Sequence, residues 1–153
     1  MKLELRQVTS LAEALALAPR LDAAGAGFHA QLSDEPFPGG ASERLLAERF
    51  DAPQTVLVGA FRPGGGDPLG LCLVAPFEDP HTLQRLPMVV VLQVDDAARH
   101  RGVARALVEE AQAVLGRRGL RVLAARAAHN DDALISMGER WGFVRAWELM
   151  QFE

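Results

Sequence analysis

Met88-Val89-Val90-Val91-Leu92-Gln93-Val94-Asp95-Asp96-Ala97-Ala98-Arg99-His100-Arg101-Gly102-Val103-Ala104 joins an almost wholly apolar run to a turn rich in arginine and then to a helical pattern. The run from Met88 to Val94 reads as a central strand covered on both faces. Past Gly102, the residues Val103, Leu107, Ala111, Val114 and Leu115 fall on one side of a helix, and Gly119 ends it. Leu120 to Ala127 reads as the next strand, so residues 88–127 predict a right-handed parallel crossover of strand, helix and strand. A helix start leaves backbone N–H groups without partners and carries the positive end of the macrodipole, while a glycine there lets a ligand approach the main chain. Arg99 to Ala104 therefore predicts an anion site, and a ligand that carries a pyrophosphate.

Working outward, Leu3 to Val8 alternates apolar and polar as a strand does. Thr9 or Ser10 is placed to cap a helix from about Leu11 to Ala23, which Pro19 is expected to end or kink. Gly25 to Gly40 reads as irregular, and Ala41 to Phe50 as a second helix stopped by Asp51-Ala52-Pro53. Thr55 to Arg62 and Pro68 to Pro76 flank the turn Pro63-Gly64-Gly65-Gly66-Asp67 and predict an antiparallel hairpin. Asn130 to Trp141 reads as the last helix, and Phe143 to Phe152 as a returning strand. Residues 1–153 contain no linker, repeat or low-complexity tract. The expected architecture is one α/β (α+β) domain, with a mixed, mostly antiparallel sheet, a parallel core and helices on both faces.

Composition narrows the class of function. With 49% hydrophobic and 24% charged residues among 153, the chain fits a globular domain and not a disordered one. No apolar stretch approaches the ~18 residues of a membrane span, and the alternating N-terminus MKLELRQVTS lacks the pattern of a signal peptide. A cytoplasmic location is the expectation, with no membrane partner. Cys72 is the single cysteine, which rules out a disulfide within the chain, and its apolar neighbours mark it as a reduced core residue. The net charge of −4 hides an asymmetry: residues 99–126 hold seven arginines against Glu109 and Glu110, a local +5 beside −9 elsewhere. Nucleic acid wants a broad basic face, whereas a compact basic region beside a helix start suits a small polyphosphate.

The segment from Val89 to Ala111 resembles the acyl-CoA-binding motif of the GCN5-related N-acetyltransferases, in which a strand ending in Val-Asp-Pro precedes Arg/Gln-x-x-Gly-x-Gly/Ala. Arg99, Gly102 and Ala104 fill the three defining positions. The order of elements is similar to that family along nearly the full chain, and Asn130, Ala133 and Trp141-Gly142-Phe143 resemble its second signature. The resemblance implies an acetyl-CoA-dependent N-acetyltransferase that moves an acetyl group to a primary amine by direct attack. On the same resemblance, the amides of His100, Arg101, Gly102, Val103 and Ala104, with the Arg99 and Arg101 side chains, hold the CoA pyrophosphate. The pantetheine arm pairs with backbone groups near Leu92 and Val94 as an added strand would, and a backbone amide there polarises the thioester carbonyl. Asn130 resembles the residue that contacts the arm, although its place before a helix equally suits a plain N-cap.

Acyl transfer asks for a route by which an ammonium with pKa ~10.4 loses its proton, and an acid helps the thiolate to leave. Many relatives are implied to use a tyrosine in the last helix as that acid. This chain has no tyrosine, and the corresponding position falls at Gly138. Ser136 is the remaining hydroxyl donor nearby, and water is the alternative, since a thiolate leaves readily. His81, between the third and fourth strands with Glu78 and Asp79, is the first candidate for a base because an unperturbed imidazole titrates near ~6.5. His29 lies in the loop where relatives shape the acceptor pocket, and Asp34 and Glu35 could make an acidic mouth for a cationic amine. No His, Cys, Asp or Glu pair has metal-ligand spacing supported by its context, so no metal is expected. The missing tyrosine leaves one alternative of another class, a non-catalytic acyl-CoA-binding or sensing module. The apolar C-terminal residues Trp147, Leu149, Met150 and Phe152 exceed what a short edge strand needs and suggest a homodimer.

Overall fold

Ser10 accepts a hydrogen bond from the Glu13 N–H at 3.3 Å and so opens the first helix. In the computed structural model, which describes residues 2–152, strand β1 (Glu4–Gln7) precedes it, and helices α1 (Leu11–Ala16), α2 (Ala18–Leu32) and α3 (Ala41–Arg49) follow. Then come β2 (Val56–Phe61), β3 (Gly70–Glu78), β4 (Arg85–Val94), α4 (Val103–Arg117), β5 (Ala124–Ala125) and α5 (Asp132–Arg140). The strands form one sheet in the order β1-β2-β3-β4-β5. Every pairing is antiparallel except β4 with β5, which is parallel across α4. The mixed sheet and its single parallel crossover are as the sequence predicts.

Two apolar clusters cover the two faces. On one, α4 buries Val103, Leu107, Val108, Ala111, Val114 and Leu115 against Val56, Val58, Cys72 and Val74. Each large side chain buried this way contributes about 1.5–3 kcal/mol, so the predicted apolar side of this helix anchors the crossover. Gly70 makes the close approach possible: a Cβ there would lie 3.1 Å from Leu107 Cδ1 and 3.2 Å from the Gln93 carbonyl oxygen. On the other face Ala14, Ala18, Leu21 and Leu46 of α1–α3 pack on Leu57, Leu71, Leu73 and Val91. Cys72 is fully buried, and desolvation pushes its thiol up to about 12, so it stays protonated at neutral pH, as a core residue should.

Three local expectations are corrected. The helix expected to end near Ala23 breaks for one residue at Leu17, where Pro19 sits in the first turn of α2, and then continues to Leu32. Gly25 and Gly27 each cost up to about 1 kcal/mol relative to alanine in a helix. Contacts at both ends of α2 outweigh this cost: Arg20 is bonded to β4 and the start of β3, and Phe28 lies beneath Arg126 of the β5 region. The irregular stretch is therefore only residues 33–40. β5, expected over Leu120 to Ala127, is regular only at Ala124–Ala125. Phe143 to Phe152 forms no strand. After the Phe143 N–H bonds the Gly138 carbonyl at 2.9 Å, residues 144–152 make no backbone hydrogen bond among the described residues. A two-residue edge offers almost no ladder to join.

Candidate acyl-CoA cleft

The cleft begins with a bulge in β4. Leu73 pairs with Val91 and Val74 with Val89, so Val90 is the extra residue, and it packs with Val91 toward the α2 side. β5 pairs with β4 only at Met88↔Ala124 and Val89↔Ala125. From Val90 to Val94 that edge of β4 has no strand partner among the described residues, so Leu92 and Val94 stand on an open edge. Their antiparallel partners on the other side are Cys72 and Gly70.

A single 3-10 turn, Asp96–Ala98, carries the chain from β4 to α4. His100 and Gly102 both take left-handed backbone, with φ of 63° and 73°, which bends the main chain into a concave loop of the kind where N–H groups converge on an anion. Gly102 is the N-cap of α4 and supplies no side-chain cap. The first helical hydrogen bond runs from the Ala106 N–H to the Gly102 carbonyl at 3.0 Å, which leaves the Val103, Ala104 and Arg105 amides without acceptors among the described residues. A Cβ built on Gly102 would meet nothing within 4 Å, so the space over these amides is open. The residues present fit a diphosphate.

Arg99 and Arg101 differ in role. Arg99 donates from Nε to the Val94 carbonyl at 3.2 Å and pairs through Nη1 with Asp96 Oδ1 at 3.1 Å, so it staples the loop to the end of β4. Arg101 is exposed and has no bonded partner among the described residues, so its charge is free for a ligand. The rest of the arginine-rich stretch disperses. Arg105 pairs with Glu109, and Arg117, Arg118 and Arg121 lie at or past the far end of a helix whose 15 residues span roughly 22 Å. Arg118 donates to the Pro53 and Thr55 carbonyls at 2.9 and 2.8 Å, tying the tail of α4 to the start of β2.

Asp131, not Asn130, caps α5; its carboxylate accepts from the Leu134 N–H at 3.1 Å. Asn130 is exposed in the preceding turn with no side-chain hydrogen bond among the described residues, which leaves its amide group available. Ser136 is exposed on α5. Gly138 takes part in closing that helix, its carbonyl accepting from the Trp141 and Phe143 N–H groups at 3.0 and 2.9 Å. His81 is exposed at the tip of the β3–β4 hairpin, where the Asp79 carboxylate accepts both the His81 and Thr82 N–H groups at 2.8 Å. Bonds from Thr82 and then His81 hold the Asp79 carboxyl below the usual carboxylate range. From the start of β4 to Leu92 is seven residues of strand, roughly 23 Å, so the structure does not bring His81 to the open edge. His29, expected in a loop, lies in the last turn of α2 and is engaged with the loop that follows, with Nε2 3.0 Å from the Glu35 carbonyl oxygen and an edge-on contact to Phe37. Among the described residues no group of three or more His, Cys, Asp or Glu is arranged to hold a metal ion.

A cluster the sequence did not reveal fastens the cleft. Arg20 of α2 donates to the Pro68 carbonyl, and from Nη2 to Gln93 Oε1 at 3.0 Å and Asp95 Oδ1 at 3.1 Å. Gln93 Nε2 completes the group by donating to Asp95 Oδ1 at 2.6 Å. The partners are 48 to 75 residues apart, and no local pattern connects them.

A parallel pair that parts beside a helix start lined with free amides is the build of a protein that lays a diphosphate-bearing arm between two strands. Residues 26–143 match the model of the acetyltransferase (GNAT) family. The chain belongs to that family and is an acetyl-CoA-dependent N-acetyltransferase. Its fold is similar over 100% of the chain to the aminoglycoside acetyltransferase AAC(6')-Iy, solved with a CoA-linked bisubstrate analogue; identity is 17%, TM-score 0.70, and 98% of that chain is covered. A ribosomal-protein-alanine N-acetyltransferase from Brucella melitensis matches with 18% identity and TM-score 0.66, over 100% of this chain and 99% of the other. An aminoglycoside acetyltransferase from an uncultured soil metagenomic sample matches with 25% identity and TM-score 0.65, over 100% and 97%. Among curated proteins, none matches this chain.

Proposed function

We propose that this chain, as a single acetyltransferase domain, acetylates a primary amine by direct attack on the thioester of acetyl-CoA laid along the open edge of β4. The observation that carries the reading is the conjunction of free Val103, Ala104 and Arg105 amides, open space over Gly102 and an unpaired strand edge leading to them. The loop amides from His100 to Ala104 with Arg101 hold the diphosphate, while Arg99 keeps that loop in shape. Backbone groups near Leu92 and Val94 align the arm, an N–H there stabilises the oxyanion, and Asn130 supplies a further contact. When bound, acetyl-CoA supplies an acyl group on a good leaving sulfur. The ammonium first gives a proton to water, and the amine nitrogen then bonds to the acyl carbon as the C–S bond breaks; the nitrogen's second proton passes to water, and the sulfur takes a proton from water or from Ser136, which water then reprotonates. The exposed Asp34 and Glu35 favour an acceptor that carries an amine charge, whether a small molecule or a peptide.

Calorimetry with CoA and a thiol-release assay over a panel of amines test the reading together. Binding with turnover is expected. Binding without turnover of any amine would favour the sensing module, and absence of binding would remove both. Because His81 stands at the far end of β4, His81→Ala is expected to keep the wild-type pH profile; loss of a limb of that profile in the variant would restore His81 as the base.

Nothing in the described residues is long and apolar enough to be a membrane-spanning helix, and we place the protein in the cytoplasm. We further propose a homodimer. Val144, Trp147, Leu149, Met150 and Phe152 are exposed at 65% or more, and only Trp147 finds an aromatic partner, Phe77, at 5.4 Å. Aromatic side chains bring about 150–250 Å² each, so this segment approaches the ~800 Å² that one partner contributes to a standard interface. Sedimentation at several concentrations should show a dimer that Trp147→Glu with Leu149→Glu converts to a monomer. A monomer at every concentration in the unaltered protein would end this reading.

A further inference from the structure

We propose that Arg126 reads a carboxylate on the acceptor, so that the enzyme selects amines whose skeleton also bears that anion. The inference rests on the acyl-transfer reading above and names the substrate class of the same site. Arg126 is the first residue after the last β4–β5 pair, Val89↔Ala125, and so stands where the strands part. Its guanidinium carbon lies 4.6 Å from the centroid of the Phe28 ring. Helix α2 begins beside the end of β4, where Arg20 meets Gln93 and Asp95. Eight residues later it has crossed to β5 and places Phe28 under Arg126. The contact therefore bridges the gap on the α2 side of the sheet.

That side matters for which anion is read. Helix α4, with the diphosphate cradle at its head, packs on the opposite face together with Leu92, Val94 and Leu123. Side chains alternate along a strand, so Leu123 toward α4 is consistent with Arg126 toward α2. A negative group reaching Arg126 comes from the acceptor's side of the cleft and not from the cofactor's diphosphate.

The guanidinium is also unspent. Arg6, Arg20, Arg85, Arg99 and Arg105 each pair with a carboxylate, and Arg118 bonds two carbonyls. Arg126 has no hydrogen bond or ion pair among the described residues, and Asp34 and Glu35, in the loop after α2, do not pair with it. Arg126 is exposed to an incoming ligand, and partial desolvation lowers its pKa from the usual value, an effect that a bound anion would oppose. Held on a ring face, the planar fork is ordered in advance and presents two parallel donors, the geometry that matches a carboxylate. A single guanidinium balances a single negative charge.

Matched pairs test the idea: amino acids and dipeptides against their C-terminal amides, with spermidine as a polycation, followed by thiol release. The carboxylate member of each pair is expected to show kcat/KM about tenfold or more above its amide, and spermidine to be poor. Arg126→Gln should remove that preference and Arg126→Lys retain part of it, while the CoA dissociation constant stays at its wild-type value as a check on folding. Amides or spermidine used as well as carboxylates, or a preference that survives in Arg126→Gln, would overturn the proposal. Should no amine turn over, the same pairs are titrated onto CoA-bound protein. Equal binding of carboxylate and amide, or binding of neither, overturns it there, whereas failure to bind CoA at all counts against the acyl-transfer reading instead.

Discussion

Gly102→Val is expected to weaken CoA binding by about tenfold or more, and most of that loss should be specific to the ligand. Gly102 sits at φ 73° as the N-cap of α4, and a Cβ there would meet no atom within 4 Å. The free protein therefore suffers no clash, only the cost of left-handed backbone for an L-residue, about 1–2 kcal/mol and greatest for a β-branched side chain. The empty space is the approach to the Val103, Ala104 and Arg105 amides, so the valine methyls occupy what the diphosphate needs. A tenfold loss in affinity corresponds to about 1.4 kcal/mol. Gly102→Ala separates the two effects, since it carries much of the backbone strain with a single methyl. Thermal melts should rank the two variants closely, whereas calorimetry with CoA should separate them, valine being the weaker. Equal affinity in wild type and Gly102→Val would mean that the diphosphate is held elsewhere.

What the sequence made legible follows from how far apart the interacting residues lie. Val103, Leu107, Ala111, Val114 and Leu115 announce α4 because their spacing repeats within one element, and all five are buried. Gly102 is legible because left-handed backbone at a helix start is a local demand. The extent of α2 is not, because Gly25 and Gly27 argue against a helix that contacts with distant strands then stabilise. Arg126 reads in the sequence only as one more charge in a basic stretch, yet the fold sends it to the opposite face of the sheet from the cradle. The His81 assignment suffers from the same blindness: proximity in sequence to the central strand says nothing of which end of that strand carries the chemistry. The C-terminal strand fails for a related reason, because alternation states a preference for a partner edge and does not supply one.

Arg20→Met is expected to lower stability and to loosen the cleft at once, because one side chain ties three elements together. Its guanidinium reaches the Pro68 carbonyl ahead of β3, and Gln93 and Asp95 at the end of β4, from a position in the first turn of α2. Hydrogen bonds to charged groups contribute about 1.5–3 kcal/mol when buried. The Arg20 and Asp95 side chains are 30% and 38% exposed, so solvent screening reduces the expectation to about 1–2 kcal/mol. For a chain of this size that lowers Tm by roughly 2–8 °C. Methionine keeps much of the apolar stem but leaves the Asp95 carboxylate with Gln93 Nε2 as its remaining side-chain donor, at 2.6 Å. Asp95 leads directly into the 3-10 turn and the Arg99 staple, so play at this residue reaches the diphosphate loop. The kinetic result should be a raised KM for acetyl-CoA, together with a raised KM for the acceptor because α2 forms that wall of the cleft. Arg20→Lys, which keeps the charge but not the planar fork, should fall between wild type and methionine in both measurements. A methionine variant with wild-type Tm and wild-type KM values would show that the apolar packing of Ala18 and Leu21 alone positions α2, and that the Arg20 cluster is incidental to the cleft.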